Sequence, residues 1–123
     1  MGVGSAVTTR RASTVSAKVY IAKDERYENA KILASAAGQH CTVCGPRCLG
    51  TTPTVVWCHS PFPEHGKAGS VKAHDIFGCY GCQACHDWLD GRVWQGDAVE
   101  KYQKFHRAMA RSWLILVRTG VLQ

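Results

Sequence analysis

The 123-residue chain has no apolar run approaching the roughly 20 residues of a membrane span, which excludes an anchoring helix. No apolar export segment opens it, no internal repeat runs through it, and nothing after residue 20 is low in complexity, so neither a repeat array nor a fibrous chain is expected. Acidic residues are scarce. Nine Asp and Glu against fifteen Lys and Arg leave +6, which favours a polyanionic partner such as nucleic acid. With 46% hydrophobic and 20% charged residues the composition is that of an ordinary globular protein, and the length suffices for one core with one appendage but not for two enzyme domains. What the chain does have in excess is cysteine. Seven cysteines, an odd count beside six histidines and with no export segment, argue for a reducing compartment in which thiols bind metal rather than pair as disulfides.

Residues 1–23, rich in Gly, Ser, Thr, Ala and Val with Arg10 and Arg11 inserted, show no sustained period and read as a mobile basic arm ahead of a domain over 24–123. Tyr27, Ala30, Lys31, Ala34 and Ala37 recur at helical spacing until Gly38, predicting a helix over about Glu25 to Ala37. The stretch from Gln39 to Thr54 is turn-rich and irregular, so something other than an apolar core must hold it. Thr54 to His59 and Ile76 to Tyr80 are short β-branched and aromatic runs that read as strands, separated by a loop carrying Lys67 and Lys72. Beyond the second strand the chain enters Cys82 to Gly91 directly, giving the order strand, loop, strand, helix. The last segment is the clearest helix: Asp97 and Glu100 form a capping box, Gly120 supplies the stop, and Val99, Tyr102, Phe105 or His106, Met109, Trp113, Leu116 and Val117 follow the helical repeat. Lys101, Lys104, Arg107, Arg111 and Arg118 make much of its remainder basic.

Two cysteine clusters carry the chemistry. Cys41-x-x-Cys44, with Cys48 just beyond, precedes Cys82-x-x-Cys85 by some forty residues, and two such turns can present four thiolates to one tetrahedral Zn²⁺. Four thiolates close the coordination shell, so that zinc is structural, and Cys44 and Cys48 compete for one position. His86 and Asp90 stand four residues apart, which on a helix places an imidazole and a carboxylate on one face where they can share a divalent cation. His59 ends the first strand next to the basic loop, and imidazole is the side chain best suited to draw a proton from water near neutrality. Cys58, one residue earlier, points to the opposite face and reads as a core thiol ahead of an extra metal ligand, and Cys79 reads as a packing thiol too.

Taken in order, the Cys41 to Cys48 turn, Val55-Val56-Trp57-Cys58-His59, the His65-Gly66-Lys67 and Lys72 loop, Asp75-Ile76-Phe77, Cys82-x-x-Cys85-His86-Asp87-x-Leu89-Asp90 and Met109-Ala110-Arg111 before Gly120-Val121 resemble the HNH, or ββα-metal, nucleases. More closely, they are similar to the YbcO-like phage and prophage nuclease family, over about Tyr27 to Leu122. The resemblance implies an α+β fold: a small ββα-metal (HNH-like) core with a structural zinc knuckle, flanked by an N-terminal helix and a longer C-terminal helix. It also implies a metal-dependent DNA endonuclease, at work in phage DNA recombination or processing in the bacterial cytoplasm. His59 would be the general base and His86 and Asp90 the ligands of a catalytic Mg²⁺ or Mn²⁺, with products bearing 5′-phosphate and 3′-hydroxyl ends. Two departures stand out. Cys58 occupies the place where the common HNH strand end has an acidic metal ligand, and the middle Asn of the motif has no counterpart among residues 72–80, neither Asp75 nor His74 being assigned its place.

Lys67, Lys72, Arg107 and Arg111 are the basic residues expected to meet the DNA backbone. A homodimer is an expected assembly for a small nuclease that cuts both strands. The competing reading is a non-catalytic zinc-stabilised nucleic-acid-binding module, which needs none of His59, His86 and Asp90. A deaminase-like zinc enzyme fails for want of a His-x-Glu element ahead of Cys82-x-x-Cys85.

Overall fold

A computed structural model describes residues 25–50, 53–91 and 97–122. The basic arm expected over 1–23 lies outside the described residues. The described elements are α1 (Ala30–Ala34), β1 (Val56–His59), a single 3-10 turn (Pro63–His65), β2 (Gly78–Gly81), α2 (Gln83–Leu89) and α3 (Ala98–Arg118). β1 and β2 pair antiparallel with Val56 opposite Gly81, Trp57 opposite Tyr80, Cys58 opposite Cys79 and His59 opposite Gly78. The α+β class and the strand, loop, strand, helix order therefore hold.

Both strands are shorter than their β-branched runs suggested. Ile76 and Phe77 stay outside β2 because Phe77 N–H closes a turn on His74 C=O (2.9 Å) and the Trp113 indole N–H takes Ile76 C=O (2.8 Å). The first helix is corrected more strongly: it spans Ala30–Ala34, not Glu25 to Ala37. Residues 25–29 are held extended against the lead-in to β2. Asp75 N–H donates to Tyr27 C=O (2.9 Å), Tyr27 N–H to His74 Nδ1 (2.8 Å) and Asn29 N–H to Asp75 Oδ2 (2.7 Å), and these long-range bonds override the helical period. Asn29 then caps α1, its side chain accepting from Lys31 N–H.

A two-stranded sheet needs cover, and α3 supplies it. Asp97 accepts the Glu100 amide (2.7 Å) to start the helix, and Gly120 ends it at φ +81°. Its buried seam is Phe105, Ala108, Met109, Ser112 and Leu116. Val99, Tyr102 and Val117, expected in that seam, are exposed: a helix of 21 residues is about 30 Å long and outruns strands of four residues, and Val117 falls on the outer face. Ser112, fully buried, explains how β2 tolerates an outer edge in the interior. Tyr80 N–H donates to Ser112 Oγ (3.1 Å), while Tyr80 C=O accepts from both Thr42 N–H (2.8 Å) and Thr42 Oγ1 (2.7 Å). Every polar group that Tyr80 turns away from β1 is thus satisfied. Around this edge Trp57 and Tyr80 meet edge to face at 5.2 Å, and Ile32, Val43, Trp88 and Phe105 complete the core. Cys58 and Cys79 are fully buried within it, as expected of packing thiols.

Replacing Ser112 by Ala would leave the Tyr80 amide buried without its partner, so Ser112→Ala should cost about 1–3 kcal/mol in urea unfolding. A loss below about 0.5 kcal/mol would show that another group accepts that amide.

Candidate metal centre and nucleic-acid cleft

Cys82 caps the start of α2 and Cys85 sits in its first turn, while Cys41 and Cys48 come from the irregular loop that follows α1. The four sulfur atoms lie within 4.8 Å of one another. Tetrahedral Zn–S bonds of about 2.3 Å place sulfurs roughly 3.8 Å apart, so the donor set fits a single soft dication after a small contraction. Backbone amides already face the sulfurs: Gly45 N–H reaches Cys85 Sγ (3.4 Å), Leu49 N–H reaches Cys82 Sγ (3.3 Å) and Gly50 N–H reaches Cys48 Sγ (3.3 Å). A hydrogen bond with Cys85, helped by backbone amides and opposed by burial, holds the Cys41 thiol down at about 4, and the same contact pushes Cys85 far up. A dication held by the four sulfurs would take the place of the thiol protons. Cys44 is not in the group. It is exposed, with its backbone in the left-handed region at φ 57°, so the competition between Cys44 and Cys48 goes to Cys48. Gly45 beside it has no room for a side chain, because a Cβ would stand 2.9 Å from the Trp88 ring, and this packing seats the loop on α2.

The cysteine cluster sits at the start of α2, and the residues that follow include His86 and Asp90. His86 Nε2 lies 3.1 Å from Asp90 Oδ2. Two atoms that bind one ion at about 2.1 Å stand roughly 3 Å apart, so this pair has the spacing of two ligands. An open cleft of about 840 Å³ is lined by these two residues together with His59, Ser60, Lys67 and Lys72. Lys67 donates to Gly69 C=O within the 67–72 loop, where Ala68 and Val71 form a β-bridge, and Lys72 is exposed. Arg107 and Arg111 are exposed on α3, which contributes no residue to the cleft lining. His65 is buried, stacked on Phe77 and bonded through Nδ1 to Ser60 Oγ (2.6 Å); burial, then the nearby His106, lower its proton affinity. It is a packing residue.

His59 is held from behind. Its Nε2 stands 2.7 Å from Asp75 Oδ1 and 3.4 Å from an Arg26 guanidinium nitrogen, which itself donates to the same carboxylate oxygen at 2.6 Å. Burial alone would raise the Asp75 carboxyl, but hydrogen bonds from the Asn29 amide and His59, with the Arg26 charge, hold it below the usual carboxylate value. Sequence reasoning left Asp75 and Arg26 without a role. The signal that could have found Asp75 is a lone acid placed directly ahead of the apolar Ile76-Phe77 pair, where solvation gives no reason for it.

A family model described as "Putative nuclease YbcO" matches residues 30–121, which span the four cysteines, His59, His86 and Asp90. The chain belongs to the YbcO family. A solved structure agrees with the YbcO assignment: "Structure of a putative bacteriophage protein from Escherichia coli str. K-12 substr. MG1655" shares 30% sequence identity, covers 72% of this chain and 98% of its own, and superposes with a TM-score of 0.58. A search of curated proteins gave no match. The resemblance read from the sequence holds at the level of the YbcO family, and the substrate class of a nuclease family is nucleic acid.

From the cluster geometry, protein carrying Cys48→Ser should lose its bound metal, and protein carrying Cys44→Ser should keep the wild-type content, as measured by elemental analysis after gel filtration. Equal loss from both would place Cys44 in the metal shell.

Proposed function

We propose that this YbcO-family protein is an HNH-type endonuclease that hydrolyses DNA phosphodiester bonds, with zinc on Cys41, Cys48, Cys82 and Cys85 and Mg²⁺ or Mn²⁺ on His86 and Asp90. The observation that carries the reading is the single cleft that collects His59, His86 and Asp90 with Lys67 and Lys72. A module that only binds nucleic acid has no use for an imidazole base facing a two-ligand cation site. The antiparallel pair followed at once by α2 supports it further, since that is the order a ββα-metal core requires.

In this reading His59 takes the proton of a water molecule whose oxygen attacks the phosphorus, the bond from phosphorus to the 3′ oxygen breaks, and the products carry 5′-phosphate and 3′-hydroxyl ends. A divalent cation held by His86 and Asp90 would polarise the scissile phosphate and stabilise charge on the leaving oxygen. Lys67 and Lys72 steady the neighbouring phosphates. Arg107 and Arg111, away from the cleft, are left an outer track or a solvent role. The bacteriophage origin given for the structural neighbour supports a role in phage DNA recombination or processing in the cytoplasm of a bacterial host.

Supercoiled plasmid incubated with the protein and Mg²⁺ or Mn²⁺ should be nicked or linearised. His59→Ala should lower the rate by on the order of 10²- to 10⁴-fold while DNA retention and structural metal stay unchanged. Cleavage at the wild-type rate in that variant would remove His59 from the chemistry. Changing Lys67 and Lys72 together to Gln should reduce the salt dependence of DNA binding by about one logarithmic unit per lysine, and an unchanged slope would move the backbone contact elsewhere.

A further inference from the structure

We infer that Asp75 is a positioning residue for His59: its carboxylate accepts the proton borne by Nε2, so that Nδ1 keeps its lone pair and is the atom that draws the proton from water. The catalytic half of this statement rests on the reading of His59 as general base, whereas the tautomer stands on the geometry alone.

A neutral imidazole has one donor and one acceptor nitrogen, and which is which follows from what the bonded nitrogen faces. Nε2 faces Asp75 Oδ1 at 2.7 Å. That carboxylate is surrounded by donors: Arg26 gives a hydrogen to Oδ1 at 2.6 Å and the Asn29 amide gives one to Oδ2 at 2.7 Å. With only 4% of its side chain exposed, these donors stand where water would otherwise solvate the charge. An ionised carboxylate can only accept, so the hydrogen between it and His59 belongs to Nε2. Arg26 is consistent with this assignment. The guanidinium has no acceptor, and at 3.4 Å from Nε2 its nitrogen is turned to the much closer carboxylate oxygen. The downward displacement of the Asp75 acid, named above, points the same way.

The backbone makes the arrangement rigid. Asp75 N–H is bonded to Tyr27 C=O (2.9 Å), and Asp75 C=O accepts the Trp57 indole N–H (2.8 Å), tying the carboxylate to the strand that carries His59 two residues on. His59 itself is fixed opposite Gly78 in the ladder and keeps 14% of its side chain exposed, in the lining of the cleft. The side of the ring away from Asp75 is thus the side available to water. A carboxylate that fixes the tautomer of a base and stabilises the imidazolium formed after proton transfer lowers the barrier without touching substrate.

The tautomer is read directly from a long-range ¹H–¹⁵N correlation spectrum of the uniformly labelled wild-type protein with its histidines neutral. His59 should show a protonated Nε2 and an unprotonated Nδ1, and the reverse pattern would overturn the assignment. For the catalytic half, Asp75→Asn and Asp75→Ala should lower kcat for plasmid cleavage by on the order of 10²- to 10⁴-fold with KM and bound metal little changed, and Arg26→Gln should lower it less. Wild-type kcat in a folded Asp75→Ala variant would show that the carboxylate positions nothing that matters to the reaction. Should the wild-type protein cut no DNA, the proposed function fails and the spectrum still decides the tautomer.

Discussion

Four sulfur atoms hold together what the apolar core does not reach. The loop from Gln39 to Gly50 has one deeply buried aliphatic side chain, Val43; Thr42 ties it to the Tyr80 carbonyl and Gly45 packs on Trp88, while Cys41 and Cys48 meet Cys82 and Cys85 at the first turn of α2. The same contact fixes where α2 begins and how it is rotated, and that rotation decides which of its residues face the core and which face the cleft. Cys85, Trp88 and Leu89 go inward, leaving His86 and Asp90 outward and one turn apart. Position in the cleft is thus set by a cluster on the other side of a two-turn helix. A helix this short has little stability of its own, so the cysteines matter more here than a metal cluster would under a long helix.

The other wall depends on Asp75. Placed just ahead of β2 and nearly inaccessible, it gathers Arg26, Asn29, His59 and Trp57 through its carboxylate and its backbone carbonyl. One residue therefore joins the segment before α1, the end of β1 and the start of β2. A buried carboxylate is costly unless its acceptors are filled, and here both oxygens are filled by donors that hold the acid in its ionised form. The two walls are built by different chemistry, thiols on one side and an ionic hydrogen-bond network on the other, and the cleft is the space between them.

Local signals in the chain reported what they control. The Cys82-x-x-Cys85 turn, the His86 to Asp90 spacing and the Asp97 cap each depend on residues within a turn or two, and each is found where the spacing put it. The length of α1 was not legible, because residues 25–29 follow a helical period and are pulled straight by bonds to His74 and Asp75 some forty-five residues away. Ser112 stands as a polar residue within an apolar stripe, and only the position of β2's outer edge gives its hydroxyl a task. Cys44 satisfied the spacing rule better than Cys48, yet its left-handed backbone turns it to solvent. In each case the deciding partner is distant in sequence, and no period or motif carries that information.

If the cleft is a nuclease site, a cation bound by His86 and Asp90 must lie beside His59. Mn²⁺ titrated into zinc-loaded, isotope-labelled protein reports this through paramagnetic broadening of histidine ring signals. One stoichiometric site should broaden His86 first and His59 with it, and disappear in Asp90→Asn. Broadening centred elsewhere, or none at concentrations that support nuclease chemistry, would contradict the assignment of this cleft as the reaction site.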